Sequence, residues 1–236
     1  MRMRKKKNLD VRLERCAGVT EQEPSLLRGH WRARYGGEKL ALELGCGKGK
    51  FVTEMAVLYP DTLFIAMEKE PSAILMAMEK TVAHGIPNIR FIVGDAALLP
   101  EIFAPGEVDV LYINFADPWT RGNRKNRRLT HRNFLALYNG IVAPGAHVVF
   151  KTDNRELFVD SVTEFVDCGL KVTDVTHDLH ATAIPNVMTE YETRFTSAGL
   201  PIHRVEAYFP AGLHIEPITD PTAEYRRRMQ RIKPAE

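Results

Sequence analysis

Four short stretches of this chain place acids, glycines and an aromatic side chain at spacings that can handle a nucleoside. Glu43 stands just ahead of Gly45-Cys46-Gly47-Lys48-Gly49. Glycines there permit a tight turn whose backbone lies close to a ligand, at the carboxyl end of an apolar run, where open α/β sheets bind small molecules. Glu68 follows 25 positions after Glu43 at the end of a second apolar run, where a carboxylate can accept both hydroxyls of a ribose. Asp95 closes a third run in Val93-Gly94-Asp95-Ala96, from which a carboxylate can receive the exocyclic amine of adenine. A dinucleotide and S-adenosylmethionine both satisfy these acids, and the glycine spacing separates them. A pyrophosphate at a helix N-terminus favours G-x-G-x-x-G, whereas this chain has G-x-G-x-G with an acid ahead of it. A carboxylate suits a cationic sulfonium and ammonium and disfavours a pyrophosphate, so a methyl donor is expected.

The most specific stretch is Asn114-Phe115-Ala116-Asp117-Pro118-Trp119-Thr120-Arg121. A carboxylate, a rigid proline and an aromatic plane offer hydrogen bonds to the edge of a flat base and a surface to stack on, although Trp119 alone is also compatible with packing. Gly122 to Thr130 follow directly, so Arg124, Lys125, Asn126, Arg127, Arg128 and Leu129 come within reach of phosphates attached to such a base. In Phe150-Lys151-Thr152-Asp153-Asn154, Asp153 is either a ligand residue or a helix cap. Thr189-Glu190-Tyr191-Glu192 opens a helix, where acids also suit the helix dipole.

Charge supports a polyanionic partner. The formal net charge is only +2, but residues 1–7 hold five basic side chains, 121–132 six and 225–233 five, with no acid among them. The rest of the chain carries 16 basic residues against 30 acidic ones, a net −14. Cations concentrated on defined surfaces are the electrostatic footprint of phosphate binding.

The elements that must position these residues alternate as a βαβ sheet requires. Strands are expected at Leu40–Leu44, Thr62–Met67, Ile89–Val93, Val108–Asn114, His147–Thr152, Lys171–Thr176 and Pro201–Phe209. The last two read as a hairpin-like edge. Helices are expected after the glycine turn to about Leu58, from Pro71 with Ile74, Leu75, Met78 and Val82 on one face, around Leu98–Phe103, and near Thr130–Asn139. Two more are expected from Asn154 to about Cys168, closed by Gly169, and after Thr189. With 236 residues, a single α/β domain over 36–236 is expected, preceded at 1–35 by a basic N-terminal extension without clear periodicity. No run approaches the roughly 20 apolar residues of a membrane helix. The N-terminal residues lack a signal peptide's apolar segment, so a cytoplasmic chain with no membrane partner is expected. Cys16, Cys46 and Cys168 form no CxxC pair, so neither a disulfide framework nor a metal site is expected.

The combination LELGCGKGKF, FADPWTRGNRKNRRLT, FKTDN and TEYETRF, spread over about residues 40–209, resembles the bacterial tRNA (guanine-N7-)-methyltransferase family. The resemblance implies a class I S-adenosylmethionine-dependent methyltransferase fold, a Rossmann-like, mostly parallel seven-stranded sheet with helices on both faces. It implies a guanine in the tRNA variable loop as acceptor; separately, the chain is expected to act as monomer or homodimer. By matching motifs, Glu43, Glu68, Asp95 and Asp117 line the donor site; Gly45 and Gly47 are expected there from the turn they form, and Asp117 is expected to be the catalytic residue, orienting the base and stabilising the charge that moves onto it. Arg121, Asp153, Thr189, Glu190, Tyr191 and Glu192 face the guanine nucleotide, and residues 124–129 face the RNA. The chain departs from the family pattern at Ala116 and Thr120, where proline is usual, at Arg121, where lysine is common, and at Gly122 and Asn123, which thin the basic loop. A guanine N7 has a free lone pair and no proton to lose, so a single displacement needs no strong general base. The alternative is an RNA or DNA amino-methyltransferase acting on adenine or another exocyclic nitrogen, whose sites use an Asp/Asn-Pro-Pro-aromatic segment. An RNA-binding protein without catalysis is a rival of another class, disfavoured by the intact set Glu43, Glu68 and Asp95.

Overall fold

The computed structural model describes residues 6–220, so Arg2, Arg4, Lys5 and the basic run at 225–233 lie outside the described residues. Seven strands form one sheet: β1 (Lys39–Leu44), β2 (Thr62–Glu68), β3 (Ile89–Val93), β4 (Val108–Asn114), β5 (Val142–Thr152), β6 (Lys171–Thr176) and β7 (His203–Tyr208), in the order β3-β2-β1-β4-β5-β7-β6. The first five are parallel, while β7 pairs antiparallel with both β5 and β6. The hairpin-like edge expected at the chain's end is therefore present. The strand order reverses at β1/β4, which opens a crevice at the carboxyl ends of β1 and β4, where such sheets bind ligands.

Eight helices accompany the sheet among the described residues: α1 (Leu9–Arg15), α2 (Trp31–Tyr35), α3 (Lys50–Leu58), α4 (Pro71–His84), α5 (Leu99–Ile102), α6 (Arg132–Asn139), α7 (Arg155–Asp167) and α8 (Glu190–Ser197). Alternation along β1 separates two cores, as a period of two dictates. Leu40, Leu42 and Leu44 join Leu135, Phe158 and Phe165 of α6 and α7 on one face, and Ala41 joins Phe51, Ile74 and Met78 of α3 and α4 on the other. The same alternation turns Glu43 toward the α3 side.

Helix boundaries follow their caps. Asn154 Oδ1 accepts from Leu157 N at 2.8 Å, so Asn154 caps α7 and Asp153 does not. Gly169, at φ 85°, follows its end. Helix α6 starts two residues later than expected because the His131 ring caps it, and β5 starts five residues earlier because Val142 pairs with Val108 ahead of a register shift. Within the stretch expected as an extension, α1 and α2 are too short to leave a periodic signal. Trp31 is nonetheless fully buried, its Nε1 donating to Ile102 O at 3.1 Å.

Candidate active site

The glycine-rich turn is clipped to the neighbouring strand, because the amides of Gly45 and Cys46 both donate to Met67 O, at 2.8 and 3.2 Å. Gly45 and Gly47 adopt φ values of 75° and 54°, and a Cβ on either would meet nothing within 4 Å. That side of the turn is open. Gly49 differs: a Cβ there would fall 2.3 Å from the Ala77 Cβ, so this glycine lets α3 lie against α4.

Glu68 is fixed on the rim of the turn. Its carboxylate accepts from Gly47 N at 3.1 Å and Glu70 N at 2.9 Å, which sets its orientation while each oxygen keeps a second lone pair. Asp95 accepts from Ala97 N at 3.0 Å and pairs with the exposed Lys69 at 2.9 Å. Those backbone and lysine interactions hold its carboxyl below the usual range.

Glu43 lies beneath the turn and is 2% exposed. One carboxylate oxygen accepts from Asn114 Nδ2 at 2.9 Å, and the other has no hydrogen-bond partner. Burial pushes this carboxyl up to about 7, against the lowering influence of Asn114 and Lys151. Burial favours the protonated form of this carboxyl, and an added cation shifts it back toward the carboxylate, which is what an ammonium or sulfonium ligand supplies. With the open glycine edge and the fixed Glu68, this orphaned oxygen shows that the residues present fit S-adenosylmethionine.

Beyond β4 the chain bends sharply. Phe115 and Trp119 adopt φ values of 53° and 38°, conformations that bulky side chains hold only where the surroundings enforce them. Between these bends, Asp117 is exposed and, with Pro118, Trp119, Thr120, Arg121 and Arg124, lines a cleft of about 270 Å³. Arg127 lies over the Trp119 ring at 5.3 Å.

The basic loop divides by partner. Arg121, Arg124, Asn126 and Arg127 are exposed. Lys125 reaches Glu156 at 2.8 Å and Asp160 at 2.9 Å, while the buried Arg128 donates to Pro118 O at 2.7 Å and Asp160 at 2.5 Å. Leu129 packs against the larger core and its carbonyl accepts from Tyr138 OH. Lys125, Arg128 and Leu129 therefore fasten the loop to α6 and α7.

The distal acidic motif arches back over the donor turn. Thr189 and Glu192 form a capping box on α8. Glu190 accepts from Lys50 N at 3.3 Å and pairs with Lys80 at 2.6 Å, which brings α8 onto the start of α3. Glu192 is completely buried and pairs with Lys151 Nζ at 2.8 Å. Lys151 also donates to Asn186 Oδ1 and Val187 O, at 3.0 and 2.9 Å, and burial lowers its pKa. Tyr191 is exposed. Asp153 is half-buried beside the α7 cap.

Sequence reasoning passed over Lys151 and Asn114, which hold Glu192 and Glu43. The available signal was a lysine ending the apolar run Val148-Val149-Phe150, a place where a charge demands a partner. Cys46 is buried and its thiol is pushed well up by that burial, so it stays protonated. No group of three or more potential metal ligands occurs among the described residues.

A family model for methyltransferases matches residues 37–205. A tRNA (guanine-N(7)-)-methyltransferase of Lactococcus lactis subsp. cremoris is 40% identical over 213 residues, 89% of this chain and 98% of the relative. This chain belongs to the tRNA (guanine-N7-)-methyltransferase family. The family's member from Geobacillus kaustophilus is 42% identical over 190 residues, covering 80% of this chain and 88% of its own. The fold is the class I methyltransferase fold. A solved structure of the 16S rRNA methyltransferase KamB superposes with a TM-score of 0.57 at 15% identity, covering 89% of this chain and 97% of its own. The family assignment makes the chain an S-adenosylmethionine-dependent enzyme, and no helix among its described residues is long and apolar enough to cross a membrane.

Proposed function

We propose that this chain transfers a methyl group from S-adenosylmethionine to N7 of a guanine in the variable loop of cytoplasmic tRNA. The observation that carries the reading is the cleft containing Asp117, which joins the base-edge acceptor to Arg121 and Arg124 at the end of the strand beside the donor turn. When bound, S-adenosylmethionine supplies an electrophilic methyl group on a sulfonium. Glu68 accepts the ribose hydroxyls, Asp95 receives the adenine amine and exchanges Lys69 for it, and Gly45 and Gly47 leave room for close backbone approach. Glu43 and its orphaned oxygen set a negative potential under the cationic end of the donor.

Asp117 accepts from the guanine edge, orients N7 and offsets the positive charge that builds on the purine. Its exposure suits this role, because N7 carries no proton and the site needs no general base. Arg121 and Asp153 bracket the nucleotide, and Glu190 and Tyr191 close over it from α8, held by Thr189 and Glu192. Arg124, Asn126 and Arg127 meet phosphates, on a loop that Lys125, Arg128 and Leu129 keep in place. Support comes from the family membership, the placement of these residues on one rim and the concentration of positive charge there. Incubating bulk tRNA with the enzyme and labelled donor, then identifying the labelled nucleoside, tests the reading: 7-methylguanosine is expected.

A further inference from the structure

Lys80 stands on α4, outside every stretch that reads as donor or acceptor site, yet its ammonium touches both. Its Nζ donates to Lys48 O of the glycine-rich turn at 2.8 Å and pairs with Glu190 Oε1, at the start of α8, at 2.6 Å. Packing explains how a residue 32 positions from the turn reaches it. The missing Cβ of Gly49 lets α3 close up on α4 at Ala77, and Lys80, three residues further along α4, lies on the same helix face.

The segment leading into α8 is tied down from two sides, and the ties differ in kind. From the sheet, Lys151 Nζ holds Asn186, Val187 and Glu192, and its pair with Glu192 is almost wholly buried. From the donor side, Lys50 Nζ donates to Met188 O at 3.1 Å, Lys50 N donates to Glu190 Oε2 at 3.3 Å, and Lys80 neutralises the same carboxylate. The Lys80 and Glu190 side chains are 36% and 31% exposed, so solvent screens this pair and it adds little to stability. Its effect is on position. Burial raises the Glu43 carboxyl and the charge of Glu190 raises it further, so Glu190 stands near the acids of the donor floor. Like charges there push Glu190 away, and a cation from α4 keeps it at the seam between the turn and α8. Each Glu190 oxygen still has a second lone pair for an acceptor nucleotide.

We propose that Lys80 is a positioning residue for methyl transfer: it clasps Glu190 to the carbonyl of Lys48 and so fixes the acceptor side of the site against the donor side. This rests on the function proposed above, in which Glu190 meets the nucleotide. The test is a double-mutant cycle of Lys80→Met and Glu190→Gln, read as kcat/KM for tRNA at saturating S-adenosylmethionine, with the melting temperature of each variant alongside. Each single change is expected to lower kcat/KM by about tenfold, because a group displaced beside the reacting atoms loses alignment. The double variant should fall no further than either single one. Lys80→Arg keeps the cation and should recover most of the rate. Every variant should fold with a melting temperature within about 2 °C of the wild type, because both side chains are partly exposed and the Lys151 pair and the capping box are untouched. If the wild type forms 7-methylguanosine while Lys80→Met keeps the wild-type kcat/KM, or the two single losses multiply in the double variant, the clasp is wrong and the function stands. If the wild type forms no 7-methylguanosine, the function fails and takes the clasp with it.

Discussion

Lys151 and Glu192 meet as a buried ion pair at 2.8 Å, their side chains 3% and 0% exposed, and through it the distal acidic motif is fixed to the sheet. Removing one partner strands the other charge in a dry site, which costs about 3–5 kcal/mol. Lys151→Met is therefore expected to lower the melting temperature by about 10 °C at this chain length. Calorimetric melting checks it, and an unchanged transition would show that the pair holds nothing in place.

Glu68 should govern donor affinity. Two backbone amides orient its carboxylate, and charge-assisted bonds to ribose hydroxyls contribute about 1.5–3 kcal/mol. Glu68→Ala is expected to weaken S-adenosylmethionine binding by roughly ten- to a hundredfold in titration calorimetry, with tRNA affinity little changed. Equal donor affinity in the variant would remove Glu68 from the site.

Glu43 predicts a pH dependence whose sign follows from its raised pKa. Lifted by burial from 4.5 to about 7, the folded-state carboxyl holds a proton that the unfolded chain has released. Its contribution to stability is full below about pH 4.5 and is lost as pH rises through 7. Glu43→Gln should therefore gain stability over the wild type between pH 5 and 8, by about 3 kcal/mol at most. A cationic donor favours the carboxylate, so binding near pH 7 should release part of a proton, seen as calorimetric heats that depend on buffer ionisation. The effect should vanish in Glu43→Gln, and its persistence there would assign it to another group.

The basic loop should separate into two classes of effect. Replacing the exposed Arg124 and Arg127 by Ala is expected to weaken tRNA binding and flatten the plot of log affinity against log salt by about 0.7–0.9 for each phosphate no longer neutralised. Lys125→Ala and Arg128→Ala act through Glu156 and Asp160, so they should also loosen the loop and lower stability. An unaltered salt slope in the Arg124/Arg127 variant would make that rim a solvated surface.

What the sequence made legible is what local pattern encodes. Alternation in Leu40–Leu44 and the glycines after it locate β1 and the donor turn, and Asn154, Gly169 and Thr189 mark helix ends by types that suit caps. What stayed hidden depends on tertiary approach. Nothing in Arg124-Lys125-Asn126-Arg127-Arg128 distinguishes the cations that face solvent from those that meet Glu156 and Asp160 some thirty positions later. Thr189 and Glu192, read as acceptor residues from the resemblance, are engaged in a capping box and an ion pair that only the fold brings together. The helices α1 and α2 were invisible because one or two turns give no period to read.

The central claim concerns which atom receives the methyl group, and mass spectrometry of nucleosides from tRNA incubated with enzyme and isotopically labelled S-adenosylmethionine tests it most directly. Labelled 7-methylguanosine is expected, with most turnover lost in Asp117→Asn while donor affinity survives, because that change deletes charge and keeps shape. Label on an adenine or another exocyclic nitrogen, or Asp117→Asn turning over at the wild-type rate, would contradict the account.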